Sequence, residues 1–123
     1  MESDAIQPPG RELPREQWAP YFERLNARIE AGEELDVSIA LIGDELGGPE
    51  AASLPLASIT FEDADDEIAI AVGGRGQLYP AALWHYAEHP REVWVEEQKE
   101  LPRLITIVSA DGTHTLLTIT PER

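Results

Sequence analysis

The chain contains no cysteine, which excludes disulfide scaffolds, thiol nucleophiles, iron-sulfur clusters and zinc sites with cysteine ligands. Positive charge is also scarce: the chain has 9 Lys and Arg residues and 24 Asp and Glu residues, which gives a formal net charge of -15. A field of this sign repels phosphate backbones and anionic lipids. We therefore expect no direct binding to nucleic acid and no membrane contact.

Long apolar runs are missing as well, since nowhere do enough apolar residues follow one another to span a bilayer. The first six residues carry neither a basic region nor an apolar stretch of the kind that begins a signal peptide. We therefore expect a soluble, cytoplasmic protein. Hydrophobic residues make up 42% of the 123 residues, which is enough for the core of one ordinary domain.

The N-terminal part of the sequence divides into an arm and an amphipathic helix. Pro8, Pro9 and Gly10 lie among polar residues, so residues 1–13 are predicted to be a flexible arm and residues 14–123 a single domain. The helix then follows from apolar residues at helical spacing, namely Leu13, Trp18, Tyr21, Phe22, Leu25 and Ile29. Pro20 interrupts this pattern, so the helix either begins near Gln17 or kinks at Pro20.

After Gly32 the apolar period changes from 3.6 to 2, which indicates β-strands. One predicted strand changes phase near Ala57 and Ser58, where we expect a bulge, and Pro55 indicates an edge or a strand start. The remaining strands are spaced at 8 to 15 residues without a second helix. The sequence therefore predicts an α+β fold, with one N-terminal helix on a consecutive antiparallel meander of about six or seven strands. A half-open barrel is the alternative.

Several short motifs in this order resemble a family of short bacterial proteins grouped only as a domain of unknown function. They span roughly residues 14–119. On the predicted helix they are Pro14-Arg15, Trp18, Tyr21 and Phe22, and after it come Leu54-Pro55-Leu56 with Ile59, Ile68, Ile70, Val72 and Gly73. The pattern continues with Leu83, His85, Pro90, Val93 and Val95 and ends with Ser109-Ala110-Asp111-Gly112-Thr113 and Thr115-Leu116-Leu117. Pro20 and the pair Glu33-Glu34 depart from the pattern. The resemblance implies a shared fold and supplies no catalytic residue.

Three motifs could carry chemistry, but each has a simpler interpretation. His85 and His89 would lie about 13 Å apart on one strand at ~3.3 Å per residue, too far to share one metal unless the chain turns. The acidic run 62–67 lacks the glycine of a calcium loop and is favoured as an acidic turn. Residues 73–76 lack a phosphate-binding pattern and are favoured as a loop. We therefore predict no catalytic residue, no metal site and no cofactor.

The aromatic residues Trp84, Tyr86 and Trp94 are the strongest binding candidates, with His85 beside them. Alternation places Trp84 and Tyr86 on one sheet face, and Trp94 opposite Val93 and Val95. The three aromatics could line an exposed face, where Trp and Tyr are common in binding sites, or close a second small core.

Three functional hypotheses follow from these observations. The first is a non-catalytic module that binds a protein or a small molecule through the aromatic face or a cleft between helix and sheet. The second is an acidic inhibitor of a basic protein, of the immunity or nucleic-acid-mimic kind. The third is a small hydrolase or metal enzyme that uses His85. Edge strands also make a homodimer compatible with the sequence.

Overall fold

The computed structural model describes residues 7–43, 49–73 and 83–121 of the chain. This part of the chain contains one α-helix and eight β-strands. In chain order they are β1 (Arg11–Leu13), α1 (Trp18–Glu30), β2 (Leu35–Ile42), β3 (Pro49–Glu62), β4 (Glu67–Val72), β5 (Leu83–Glu88), β6 (Pro90–Gln98), β7 (Leu101–Ser109) and β8 (His114–Pro121). Of the predicted loop at residues 73–76, only Gly73 is among the described residues.

Helix α1 begins at Trp18 with Gln17 as its capping residue, directly after a short 3-10 turn. Pro20 therefore lies in the first helical turn, where backbone N–H groups have no partner within the helix and the missing N–H costs no bond. This confirms the first of the two predicted positions for the helix start. At the other end, Gly32 has a φ of +109° and its N–H donates to the Ile29 carbonyl at 3.0 Å.

The strands form one antiparallel sheet in the order β1-β6-β7-β8-β2-β3-β4-β5. The α+β class is confirmed, but there are eight strands where we predicted six or seven. The prediction of a consecutive meander is wrong at two places. Strand β8 pairs with β2, and β6 pairs with β1 and β7 in place of its neighbour β5.

Strand β3 belongs to both halves of the sheet. Its first part pairs with β2 up to Pro55, and its second part pairs with β4 from Leu56 onward. The register shifts between Leu56 and Ser58, which confirms the predicted bulge. Pro55 is neither at an edge nor at a strand start, which corrects our expectation. It lies where β3 passes from one partner to the other, a place where a missing N–H is tolerated.

A single residue, His89, joins β5 to β6, although these strands lie near opposite ends of the sheet order. The sheet is open in its pairing, so it must curl until its two ends approach each other at His89. The backbone bonds agree, because the His89 N–H donates to the Asp66 carbonyl at 2.8 Å and the Ala110 N–H donates to the His89 carbonyl at 2.9 Å. His89 has a φ of +52°, in the left-handed region.

The hydrophobic core lies between α1 and the concave face of this curled sheet. Trp18, Phe22 and Leu25 point inward from the helix, together with apolar side chains from every strand. Strand β5 contributes only Ala87 to this core. The Trp18 and Phe61 rings meet edge to face at 5.0 Å. This packing fixes the helix on β3 and leaves the convex face of the sheet uncovered by any helix in the described part of the chain.

The N-terminal boundary differs from our expectation. Strand β1 lies within the segment that we assigned to a flexible arm, and Leu13 is 2% exposed in the core. The Trp18 indole N–H donates to the Leu13 carbonyl at 2.9 Å, which ties this strand to the helix. The folded domain therefore begins before Pro14, while residues 1–6 lie outside the described residues.

Candidate functional site

The convex face of β3, β4 and β5 presents side chains in three cross-strand rows. Each row has one residue from each strand: Ser58, Ala71 and Trp84; Thr60, Ala69 and Tyr86; and Glu62, Glu67 and Glu88. The strand period of two places all nine side chains on the same face. The aromatic residues and the carboxylates thus occupy neighbouring positions on one surface.

Trp84 and Tyr86 form the most prominent feature of this surface, and we call them the aromatic pair. Trp84 is 51% exposed and Tyr86 is 47% exposed. Their rings stack with centroids 6.3 Å apart and an interplanar angle of 14°. Ala69 and Ala71, directly across from them on β4, are buried. Because these alanines are short, no larger side chain of β4 stands beside the rings, and about half of each aromatic residue is open to solvent.

Strand β5, which carries the aromatic pair, is the last strand in the sheet order. Within the described ranges it pairs with β4 alone. Half of the backbone N–H and C=O groups of an edge strand point away from the sheet and can pair with another strand. The aromatic pair therefore lies beside a backbone edge that can itself make hydrogen bonds.

The third row, which we call the carboxylate row, consists of Glu62, Glu67 and Glu88. Like charges directly across a sheet repel each other and destabilise it. Loss of hydration together with the charges of Asp65, Glu88 and Glu62 raises the pKa of the central Glu67. This row makes the surface acidic on the side of the aromatic pair that faces the turn between β3 and β4.

The other two predicted binding residues lie elsewhere. Trp94 is on β6, opposite the buried Val93 and Val95, as alternation predicted. It is half-buried, and its indole N–H donates to Glu92 at 2.8 Å. His85 is a half-buried residue on the opposite face of β5 from the aromatic pair. The structure therefore brings Trp84 and Tyr86 together and places Trp94 and His85 apart from them.

The acidic run and the second histidine meet at the corner between β5 and β6. Asp63–Asp65 forms a short 3-10 turn, as favoured from the sequence, and Asp66 follows it with a φ of +54°. His89 Nδ1 lies 3.0 Å from Asp66 Oδ2, and this contact raises the pKa of His89 and lowers that of Asp66. Arg15 approaches Asp66 from the other side at 3.5 Å. These exposed groups hold the corner together.

In the described ranges, no group of three or more histidine, aspartate or glutamate side chains is arranged to hold a metal ion. The same ranges contain no helix with the length and apolar character needed to cross a membrane.

Sequence reasoning missed the carboxylate row. Glu88 could have been found, because it follows Trp84 and Tyr86 at the same period of two and so shares their face. Glu62 and Glu67 could not have been aligned with it, since their pairing depends on the register of three strands.

Comparisons with known proteins agree with the resemblance found in the sequence. The model of a family of unknown function, DUF5335, matches residues 10–123. An uncharacterised protein of Aquifex aeolicus (strain VF5) is 31% identical over 110 residues, which cover 89% of this chain and 90% of that protein. No solved structure gives a significant match. The chain therefore belongs to this family of unknown function, DUF5335.

Proposed function

We propose that the protein is a non-catalytic interaction module that binds a partner protein through the convex face of β5. The exposed, stacked pair of Trp84 and Tyr86 is the observation that carries this proposal. Tryptophan and tyrosine are over-represented among the residues that contribute most to binding energy, because they bury a large area with few rotatable bonds. An aromatic side chain has only two rotatable bonds, so little side-chain entropy is lost when a partner covers the rings.

The edge position of β5 supports a definite mode of binding. A partner segment in extended conformation adds to the sheet beside β5 and pairs with its outward backbone groups. Alternate side chains of that segment then contact the rings of Trp84 and Tyr86 on the convex face. Main-chain hydrogen bonds give the complex its register, and the aromatic contacts give it most of its selectivity.

The carboxylate row supports a basic partner segment. Glu62, Glu67 and Glu88 repel one another in the free protein, and a lysine or arginine from the partner relieves that repulsion. A guanidinium also stacks favourably on an exposed indole ring. The second hypothesis, an acidic inhibitor of a basic protein, uses this same surface and differs only in what binding does to the partner.

Affinity capture with matched variants tests the proposal. The tagged protein is incubated with lysate of its native host, beside the double variant Trp84→Ala, Tyr86→Ala and the control Ile42→Ala. Ile42 is a 55% exposed side chain on β2, so its variant removes apolar surface at another place. We expect a partner that is retained by the wild type and by Ile42→Ala and is lost from the double variant. Equal capture by all three proteins contradicts the proposal.

The carboxylate row is tested on the partner so identified. Glu67→Gln combined with Glu88→Gln should weaken binding at low salt and reduce the salt dependence of the affinity, since fewer charge pairs form. The same double variant should unfold at a higher urea concentration, because two repelling charges are gone. Loss of binding together with lower stability would indicate damage to the fold and would contradict the charge assignment.

A further inference from the structure

A second surface, independent of the proposed function, lies between α1 and the hairpin of β6 and β7. It is a cleft of about 450 Å³ with Arg11, Arg24 and Arg28 at its rim and Tyr21 and Glu97 on its wall. We propose that this arginine cleft binds a phosphorylated small molecule. Clefts of roughly 300 to 1,000 Å³ are the usual size for small-ligand sites.

The charge of the cleft is the first argument. It has three of the eight arginines in a chain whose acidic residues outnumber its basic residues by 24 to 9. Two glutamates, Glu97 and Glu100, also line it, so the lining residues carry a formal charge of 3 - 2 = +1, and counting Glu33, which pairs with Arg28, the local charge is 3 - 3 = 0, against -15 for the whole chain. The fold has gathered scarce positive charge at one place.

Existing bonds already occupy the Glu97 carboxylate and orient two of the arginines. Glu97 accepts a hydrogen bond from the Tyr21 hydroxyl at 2.7 Å and one from Arg11 at 3.2 Å. Burial, together with Glu97, raises the pKa of Tyr21, so this hydroxyl keeps its proton and remains a donor. Arg28 binds both carboxylate oxygens of Glu33, at 2.8 and 3.0 Å, and also the Glu100 carbonyl at 2.9 Å.

Arg24 provides the third argument. Its guanidinium lies 5.7 Å from the centre of the Tyr21 ring, and among the described residues no carboxylate lies within ion-pair distance of it. Arg24 and Arg28 are four residues apart on α1, so they project from the same face of the helix. Leu25 and Pro102 supply an apolar wall beside them. An unneutralised guanidinium next to a second one that is held in place suits a phosphoryl group, whose oxygens accept two donors at once.

Isothermal titration calorimetry with inorganic pyrophosphate at low ionic strength tests this proposal on the full chain. Arg24→Gln should weaken binding at least about tenfold, the loss expected for one charge-assisted hydrogen bond. Glu97→Gln should tighten binding, because the cleft loses a negative charge while the amide oxygen still accepts the Tyr21 hydroxyl. The two variants change the net charge in opposite directions, so opposite effects on affinity are expected.

Two controls separate a site from the general field of the protein. Arg91→Gln and Glu96→Gln make the same charge changes at exposed positions on β6 that do not line the cleft. Both should leave the affinity for pyrophosphate unchanged. Citrate, titrated in parallel, should bind more weakly than pyrophosphate.

Three results would overturn the proposal: no heat of binding with the wild type, an Arg91→Gln variant as impaired as Arg24→Gln, or citrate bound as tightly as pyrophosphate. Arg24 is exposed, so its substitution does not disturb the core. The Trp84→Ala, Tyr86→Ala protein should still bind pyrophosphate. Failure of the partner proposal and failure of this one are therefore distinguishable.

Discussion

Asn26 is the residue whose replacement tests the account of the fold most directly. At the point where β3 leaves β2, Ile59 has backbone groups that no strand in the described part of the chain reaches. The side chain of Asn26 on α1 takes the place of that strand: its Nδ2 donates to the Ile59 carbonyl at 2.8 Å, and its Oδ1 accepts the Ile59 N–H at 3.0 Å. One amide thus completes the sheet and sets the position of the helix along β3.

The expected cost of Asn26→Ala follows from these two bonds. Each contributes about 1 kcal/mol net, and stranding the backbone groups of Ile59, a fully buried residue, adds about 1 kcal/mol more. Alanine favours the helix over asparagine by about 0.6 kcal/mol, which offsets part of the loss. We therefore expect the free energy of unfolding to fall by between about 2 and 3 kcal/mol.

Urea denaturation of the wild type and the variant measures this difference. Glu23→Ala, an exposed substitution on the same helix, is the control and should change the stability little. If Asn26→Ala lowers the free energy of unfolding by less than about 1 kcal/mol, the amide does not substitute for a strand and the reasoning fails.

Two further predictions concern the corner and the N-terminal strand. The Asp66 carboxylate raises the pKa of His89 above 6.5, and His89 lowers the pKa of Asp66 below 3.8. The stabilisation from this contact is therefore fully present between pH 3.8 and 6.5 and is lost as the pH rises through the pKa of His89 in the folded protein. His89→Asn, which keeps the left-handed backbone accessible, should remove that part of the pH dependence of urea midpoints; an unchanged pH profile would contradict the assignment. Gly10→Ala would place its Cβ against the Val95 carbonyl, with the backbone at a φ of +94°, and should release β1 and lower the melting temperature. Gly32→Ala is the control, because its Cβ would meet no other atom and the variant should lose only about 1 to 2 kcal/mol of stability through left-handed backbone strain. Equal losses of stability in Gly10→Ala and Gly32→Ala would refute the contact between position 10 and the Val95 carbonyl.

The helix and most of the strands could be predicted because their signals are local. The stripe from Trp18 to Leu25, the change to a period of two after Gly32 and the phase shift near Ser58 all depend on residues close together in the sequence. Strand β1 was missed because it has three residues and its one buried side chain, Leu13, follows a segment with the composition of a loop. Short strands gain their stability from the sheet that they join, and this does not appear in their own sequence.

The order of the strands could not be predicted for a different physical reason. A hairpin is encoded by its turn, but the pairing of β8 with β2 joins residues 114–121 to residues 35–42 across most of the chain. Loop closure over such distances depends on the entire packed core. For the same reason, alternation identified Trp84 and Tyr86 as neighbours on one face, whereas the carboxylate row beside them required a register that only the folded sheet supplies.

The net charge of a chain describes no single surface of the folded protein. In the sequence, acidic residues are spread over nearly every segment, which favours an interpretation as a general solubilising charge. Folding separates these charges: Glu62, Glu67 and Glu88 align on the convex face near β5, while Arg11 on β1 meets Arg24 and Arg28 on α1. Exposed charges more than a Debye length apart, about 8 Å at physiological salt, hardly interact. Each surface therefore presents its own local charge to a ligand, and a strongly acidic protein can offer a basic partner and a phosphate group separate places to bind.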